Sequence, residues 1–253
     1  MKYKLGGDIQ KNNKVPSTAQ LSELTIMRFK GKTVLITGAS GGIGSETARS
    51  FAGEGANIIV NYFSSPAKAE NIAKEISKSG VEAMVFGADV SNPQQVSLMI
   101  EEAVDRFSGI DVLVNNAARH PPPSFNFGEP DWELWKRMVQ VNVMGILVCS
   151  HFAAPHLKRK HGNIVNVVMD YNRGALGYVL TKIAGTPLTK GLAMKLAPVR
   201  VNAVSPGYID TWGMTEEEKN HALANSLLRR IGQPTDIAKG ILFLASEDAS
   251  YIS

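Results

Sequence analysis

The sequence predicts a single α/β domain in which a doubly wound parallel sheet carries helices on both faces. Two observations lead there. From Lys32 onward, short β-branched runs alternate with longer helical patterns, and that alternation calls for crossover helices between parallel strands. The strand runs are also apolar throughout, as strands buried on both faces must be. With 253 residues, 44% of them apolar and 20% charged, the chain has an ordinary globular composition and a length that one α/β core can absorb. The domain is read over residues 31–253, after a basic extension over residues 1–30.

The elements follow in order. KTVLIT (32–37) is the first strand, and the glycine-rich turn after it opens a helix over 43–54. NIIVN (57–61) is the second, followed by a helix over 66–79 that Ser65 and Pro66 start. EAMVF (82–86) is the third, and Ser91, Asn92 and Pro93 start a helix over 93–107. IDVLVN (110–115) precedes a helical pattern over 131–158, and NIVNVV (163–168) and VRVNAV (199–204) complete six strands. Right-handed crossovers gather them into one sheet of Rossmann type. Pro187 falls in the helix after Lys182, where a missing amide proton costs about 3 kcal/mol unless the helix kinks.

Charge and composition narrow the partners. The net charge of +4 equals the excess of Lys2, Lys4, Lys11, Lys14, Arg28 and Lys30 over Asp8 and Glu23 in the first 30 residues, so the remainder is neutral. That extension has no basic cluster interleaved with aromatics, so neither a nucleic-acid nor a membrane partner is expected. No uninterrupted apolar run approaches a membrane span, and the N-terminus lacks the apolar core of a secretory signal. With Cys149 alone, no internal disulfide is possible. A cytoplasmic protein is the expectation. His151, His156 and His161 fall about 140° apart on a helix, so no metal site is expected from them.

Two constellations carry chemistry. Thr37-Gly38-Ala39-Ser40-Gly41-Gly42-Ile43-Gly44 joins a strand to a helix N-terminus; its glycines let backbone approach a pyrophosphate, and the helix dipole favours the negative charge. Tyr178 and Lys182 stand four residues apart, on one side of a helix, where a neighbouring cation favours a phenolate.

These motifs, followed in order by Asp89-Val90, Asn115-Asn116-Ala117-Ala118, Asn142, and Pro206-Gly207-Tyr208-Ile209-Asp210-Thr211, resemble the short-chain dehydrogenase/reductase family over residues 30–253. The likeness is greatest to 3-oxoacyl-[acyl carrier protein] reductases. It implies that Tyr178 protonates a carbonyl oxygen while hydride arrives from a nicotinamide, that Lys182 tunes Tyr178 and holds the cofactor ribose, and that Asn142 joins a proton relay. It further implies cofactor contacts from Gly38, Ser40, Gly41, Gly42, Ile43 and Gly44, and from Asn61, Tyr62 and Ser64 after the second strand. Asp89 and Val90 are expected at the adenine, and Asn115 between cofactor and sheet. Asn116, Ala117, Ala118, Pro206, Gly207, Ile209 and Thr211 complete the expected set. A capping role in Asp-Val-Ser-Asn-Pro is the alternative for Asp89.

An NAD site usually ends its second strand with a carboxylate for the ribose hydroxyls. This chain instead has Asn61-Tyr62-Phe63-Ser64-Ser65, with no acid to repel a 2′-phosphate and with Asn61, Ser64 and Ser65 able to hydrogen-bond to one, so NADP is the expected cofactor ahead of NAD. Gly41 stands where NADP-preferring relatives often carry arginine, and Lys68 is the nearest cation in the sequence.

The pattern breaks in places. Met169 occupies the position of the family's catalytic serine, in a segment before Tyr178 that is shorter than usual. Asp170, one position on, either substitutes for that serine, as an aspartate does in pteridine reductases, or is a solvated loop residue. The connection Leu196 to Arg200 is also short. The given sequence ends at Ser253, before the seventh strand the resemblance implies, which would leave the sixth strand as an edge. The segment His120-Pro121-Pro122-Pro123 is expected to border the substrate pocket, Trp212 to wall it, Trp132 and Trp135 to wall it or pack helices, and residues 214–225 to form a lid. The resulting expectation is an NADP-dependent oxidoreductase, homo-oligomeric by resemblance, that interconverts a carbonyl and an alcohol on 3-oxoacyl thioesters. The alternatives are a pteridine or quinone reductase and a catalytically impaired cofactor-binding homologue.

Overall fold

A computed structural model describes residues 27–120, 128–169, 176–211 and 213–253. Pro121, Pro122, Pro123, Asp170 and Trp212 lie outside these residues. All six expected strands form: β1 (Thr33–Ile36), β2 (Asn57–Tyr62), β3 (Ala83–Gly87), β4 (Val112–Asn115), β5 (Asn163–Val167) and β6 (Arg200–Val204). They pair in parallel in the order β3-β2-β1-β4-β5-β6. The order reverses between β1 and β4, so the loops leaving these two strands part there and open a crevice at their carboxyl ends.

Alternation along the strands builds two cores. Val34, Ile36, Ile58, Val60, Val112 and Val114 face one side, against α1 (Gly42–Gly53), α2 (Pro66–Ser77) and α9 (Pro234–Ala245), which contribute Phe51, Ile72 and Ile241. Leu35, Ile59, Leu113 and Ile164 face the other, against α3 (Pro93–Phe107) and α5 (Gly145–Lys160), which contribute Met99, Ile100 and Leu157. Asn92 caps α3 by accepting from Gln95 N at 3.1 Å, with Pro93 at the first helical position.

The helix expected over 131–158 forms from Trp132 to Lys160 and contains a π-helical turn. It runs as α4 (Trp132–Val139), a π-helical turn at Gln140–Met144, and α5. Trp132–Lys160 as a whole is long and apolar enough by composition to cross a membrane, but Cys149, Ala153 and Leu157 pack it onto the sheet. The helix around Pro187 divides, into α6 (Leu176–Ile183) and α7 (Gly185–Leu196), with a turn at Ala184 between them. Pro187 therefore stands in the first turn of α7, where amides have no partner within the helix, and the expected interior cost does not arise. The segment expected as a lid forms α8 (Glu216–Asn225) behind a Thr215/Glu218 capping box, with only Ala222 buried.

The boundary placed at residue 31 moves toward the N-terminus. Phe29 is 3% exposed, with its ring edge-on to Phe51 at 4.7 Å, and Arg28 pairs with Glu54 at 2.6 Å. Residues 28–30 thus belong to the packed unit. Among the described residues β6 pairs with β5 alone. On its other side Val201 N donates to Ser253 Oγ at 3.1 Å, and Asn202 Nδ2 donates to Ile252 O at 2.8 Å.

Candidate active site

The turn between β1 and α1 is shaped by what glycine lacks. Gly38 has φ +63°, and a Cβ there would sit 3.0 Å from Ala117 Cα. At Gly44 a Cβ would come within 2.5 Å of Gly38 O and 2.6 Å of Asn116 Nδ2. At Gly41, by contrast, a Cβ would meet no described atom within 4 Å, and Gly41 heads α1 without a side-chain cap. The first amides of α1 thus face an open cradle, which fits the pyrophosphate of a nicotinamide dinucleotide. Thr211 flanks it, its side chain 3.3 Å from the Cβ position of Gly42, while Ile209 is bridged to Gly232.

Side chains from the neighbouring strands brace the turn. Asn116 Nδ2 donates to Thr37 O at 2.9 Å and Gly38 O at 3.1 Å. The Asn116 and Ala117 amides both donate to Thr37 Oγ1 at 3.0 Å. Ile43 packs on the core, Val90 packs where a Cβ on Gly145 would meet it, and Ser40, Ala118 and Pro206 are half-buried at the rim with exposed Gly207.

Asn61 requires a correction. It is 1% exposed; its Oδ1 accepts from Gly38 N at 3.1 Å and its Nδ2 donates to Ala88 O at 3.1 Å. Its amide is thus committed to holding the glycine turn and is not available to a 2′-phosphate. Tyr62 lays its ring over Gly87, and Ser64 is exposed. The cation brought to this end is Arg137, which sequence reasoning missed. It lies over the Phe63 ring, 5.3 Å from its centre, and donates to Asp89 at 2.6 Å and Ser91 Oγ at 2.8 Å. Burial works to raise the Asp89 carboxyl, but hydrogen bonds from Ser91 and Arg137 overcome it and hold Asp89 below the ordinary range. Asp89 does not cap α3, since Asn92 does.

At the other end of the crevice, α6 presents Tyr178 and Lys182 one turn apart. Lys182 is 6% exposed and donates through Nζ to Val167 O; burial pushes its ammonium down to about 8. Burial also pushes the Tyr178 hydroxyl above the usual phenol range. The expectation that Lys182 brings this phenol toward neutrality is not met, because the ammonium is engaged at Val167 and burial dominates. Met169 is buried just beyond β5, its amide 3.4 Å from Lys182 O.

Asn142, in the π turn, is 2% exposed. Its Oδ1 accepts from Arg119 N at 2.7 Å, and its Nδ2 donates to Arg119 O at 3.2 Å and Thr181 Oγ1 at 2.8 Å. The amide is a brace between the β4 loop and α6. Beneath it, Asn115 Nδ2 donates to Asn166 Oδ1 at 2.9 Å and Ser150 Oγ at 3.3 Å, and Asn166 Nδ2 donates to Thr189 Oγ1 at 2.9 Å. Asn115 ties β4 to β5 and α5 by this chain. Trp135 packs behind the site, 3.0 Å from the Cβ position of Gly177, whereas Trp132 is exposed. His120, which the sequence placed only at the pocket border, has its Nε2 3.0 Å from Tyr178 Oη.

A nucleotide cradle at one end of the crevice and a Tyr/Lys pair at the other is the layout of a dinucleotide-dependent oxidoreductase. A family model described as enoyl-(acyl carrier protein) reductase matches residues 38–253. The 3-oxoacyl-[acyl-carrier-protein] reductase FabG of Staphylococcus aureus is 38% identical over 233 residues, covering 88% of this chain and 94% of that protein. The 7alpha-hydroxysteroid dehydrogenase of Escherichia coli is 32% identical over 238 residues, covering 90% and 92%. Among solved structures, a 7 alpha-hydroxysteroid dehydrogenase complexed with NADH and 7-oxo glycochenodeoxycholic acid superposes with TM-score 0.83 at 31% identity, covering 90% of this chain and 92% of that one. A short chain dehydrogenase from Burkholderia cenocepacia in complex with NADP gives 0.82 at 30%, covering 89% and 95%. The chain belongs to the short-chain dehydrogenase/reductase family.

Proposed function

We propose that this protein is an NADP(H)-dependent oxidoreductase that interconverts a carbonyl and an alcohol, with 3-oxoacyl thioesters as its substrate class. The observation that carries the reading is the Tyr178 and Lys182 pair on α6, held at His120 beyond β4 and at Val167 at the end of β5, on the sheet edge that the Gly38 to Gly44 turn also leaves. The 38% identity to a 3-oxoacyl-[acyl-carrier-protein] reductase supports the substrate class. NADP is supported by the absence of an acid over residues 61–65 and by the relative solved with NADP.

A bound reduced nicotinamide supplies hydride to the carbonyl carbon. The α1 amides hold the pyrophosphate, and Lys182 contributes positive charge near the ribose. Tyr178 delivers its hydroxyl proton to the carbonyl oxygen. The lone cysteine is buried and unpaired among the described residues, in keeping with a cytoplasmic enzyme. Exposed Leu180 and Met194 on α6 and α7 support self-association into a homo-oligomer.

The test is oxidation of NADPH by the purified chain against a panel of 3-oxoacyl thioesters and other ketones. Tyr178→Phe should lower turnover by about a hundredfold or more while NADPH binding is retained. No turnover on any carbonyl, or an unchanged rate in Tyr178→Phe, overturns the reading.

A further inference from the structure

The side chain just beyond β5 is the buried, apolar Met169, and the group that meets the Tyr178 hydroxyl comes from the opposite wall. His120 lies beyond β4, with Nε2 3.0 Å from Tyr178 Oη. The two rings stack with centres 4.2 Å apart and planes inclined by 28°. Stacking fixes the plane of the imidazole, and the hydrogen bond fixes its approach. The backbone on both sides of the pair is held by Asn142: its amide brackets Arg119, next to His120, and donates to Thr181 Oγ1, which in turn donates to Tyr178 O at 2.9 Å.

We propose that His120 is a positioning residue for the proton donor: as the neutral Nε2–H tautomer it donates to the Tyr178 oxygen, turns the phenol proton toward the substrate's carbonyl oxygen, and stabilises the phenolate left behind. This deepens the proposed carbonyl chemistry and rests on it. In the reducing direction, hydride from the reduced nicotinamide forms the new C–H bond and the C=O π bond breaks. The Tyr178 proton forms the new O–H bond, and His120 exchanges no proton. Burial makes a phenolate at Tyr178 unfavourable, so a donor aimed at its oxygen answers the main obstacle to the step. Desolvation of the ring, with the Lys182 charge second, lowers the imidazole even though His120 as a residue is exposed, which favours its neutral form beside Lys182.

Two substitutions separate this role from a structural one. His120→Leu should lower kcat about tenfold to a hundredfold, the range for losing a hydrogen bond to a charged group, with NADPH affinity unchanged. His120→Gln, which keeps an N–H donor on a side chain of similar reach, should restore most of that loss. Equal losses in both variants, a loss confined to KM, or no loss overturns the proposal. Nitrogen NMR of histidine-labelled protein reads the same hydrogen bond without turnover: the His120 Nε2 signal should be that of a protonated nitrogen and should shift in Tyr178→Phe. An unprotonated Nε2 overturns the proposal. Absence of turnover in the unaltered chain would overturn the proposed function instead, and the nitrogen spectrum would still decide the His120 bond.

Discussion

Lys182 carries its charge into surroundings that penalise it. Burial holds its ammonium at about 8 in the folded chain, against an ordinary value of 10.5. Between those values the unfolded chain binds more protons than the folded one, so stability rises with pH across the window and the full penalty applies below it. The penalty is roughly 3 kcal/mol at 1.4 kcal/mol per tenfold change. Lys182→Met should therefore be more stable than the parent at about pH 7, and the gap should shrink at about pH 10, as read by urea denaturation at both. A gap that does not change with pH removes the account. At this scale the sequence was legible for residues whose spacing expresses their role. Tyr178 and Lys182 lie on one side of α6 because positions four apart share a helix side. Asn61, Asn142 and His120 were not legible in the same way: what each does depends on partners 23, 39 and 58 residues away, at Gly38, Thr181 and Tyr178.

Among the elements, the β1 to α1 turn is the one whose chemistry divides by position. Gly38 and Gly44 are closed by neighbouring backbone and side chains, whereas Gly41 opens on the cradle. An arginine at 41 meets no described atom at its Cβ and adds a cation to a turn that has none over residues 37–44. Gly41→Arg should shift selectivity toward NADPH over NADH by about tenfold, the worth of one charge-assisted contact, in parallel titrations following nicotinamide emission. An unchanged ratio would mean that residue 41 does not face the 2′-phosphate. Strands and cap-bearing helices were readable because apolar runs and Ser-Pro or Asn-Pro starts are local signals. The π turn at 140–144 was not, since the apolar pattern continues through it and the widening serves Asn142. Pro187 announced a discontinuity, but its remedy, a fresh helix begun at Gly185, depended on the turn at Ala184.

Across the whole molecule, the strand order and the two cores follow from the alternating pattern, while the boundary at residue 31 missed a packing contact. Basic residues near the N-terminus mark an extension by charge, but Phe29 closes the core against Phe51. Phe29→Ala should cost about 3 to 5 kcal/mol in chemical denaturation, as for a buried phenylalanine elsewhere. A loss below about 1 kcal/mol would place residues 28–30 outside the cooperative unit. The brace at Asn142 has a mechanical consequence. One carboxamide fastens the loop before His120 and the helix that bears Tyr178, so thermal displacement of that fastener is common to both. A shift of that carboxamide is then shared by the segments that carry His120 and Tyr178, so their relative placement depends on one side chain.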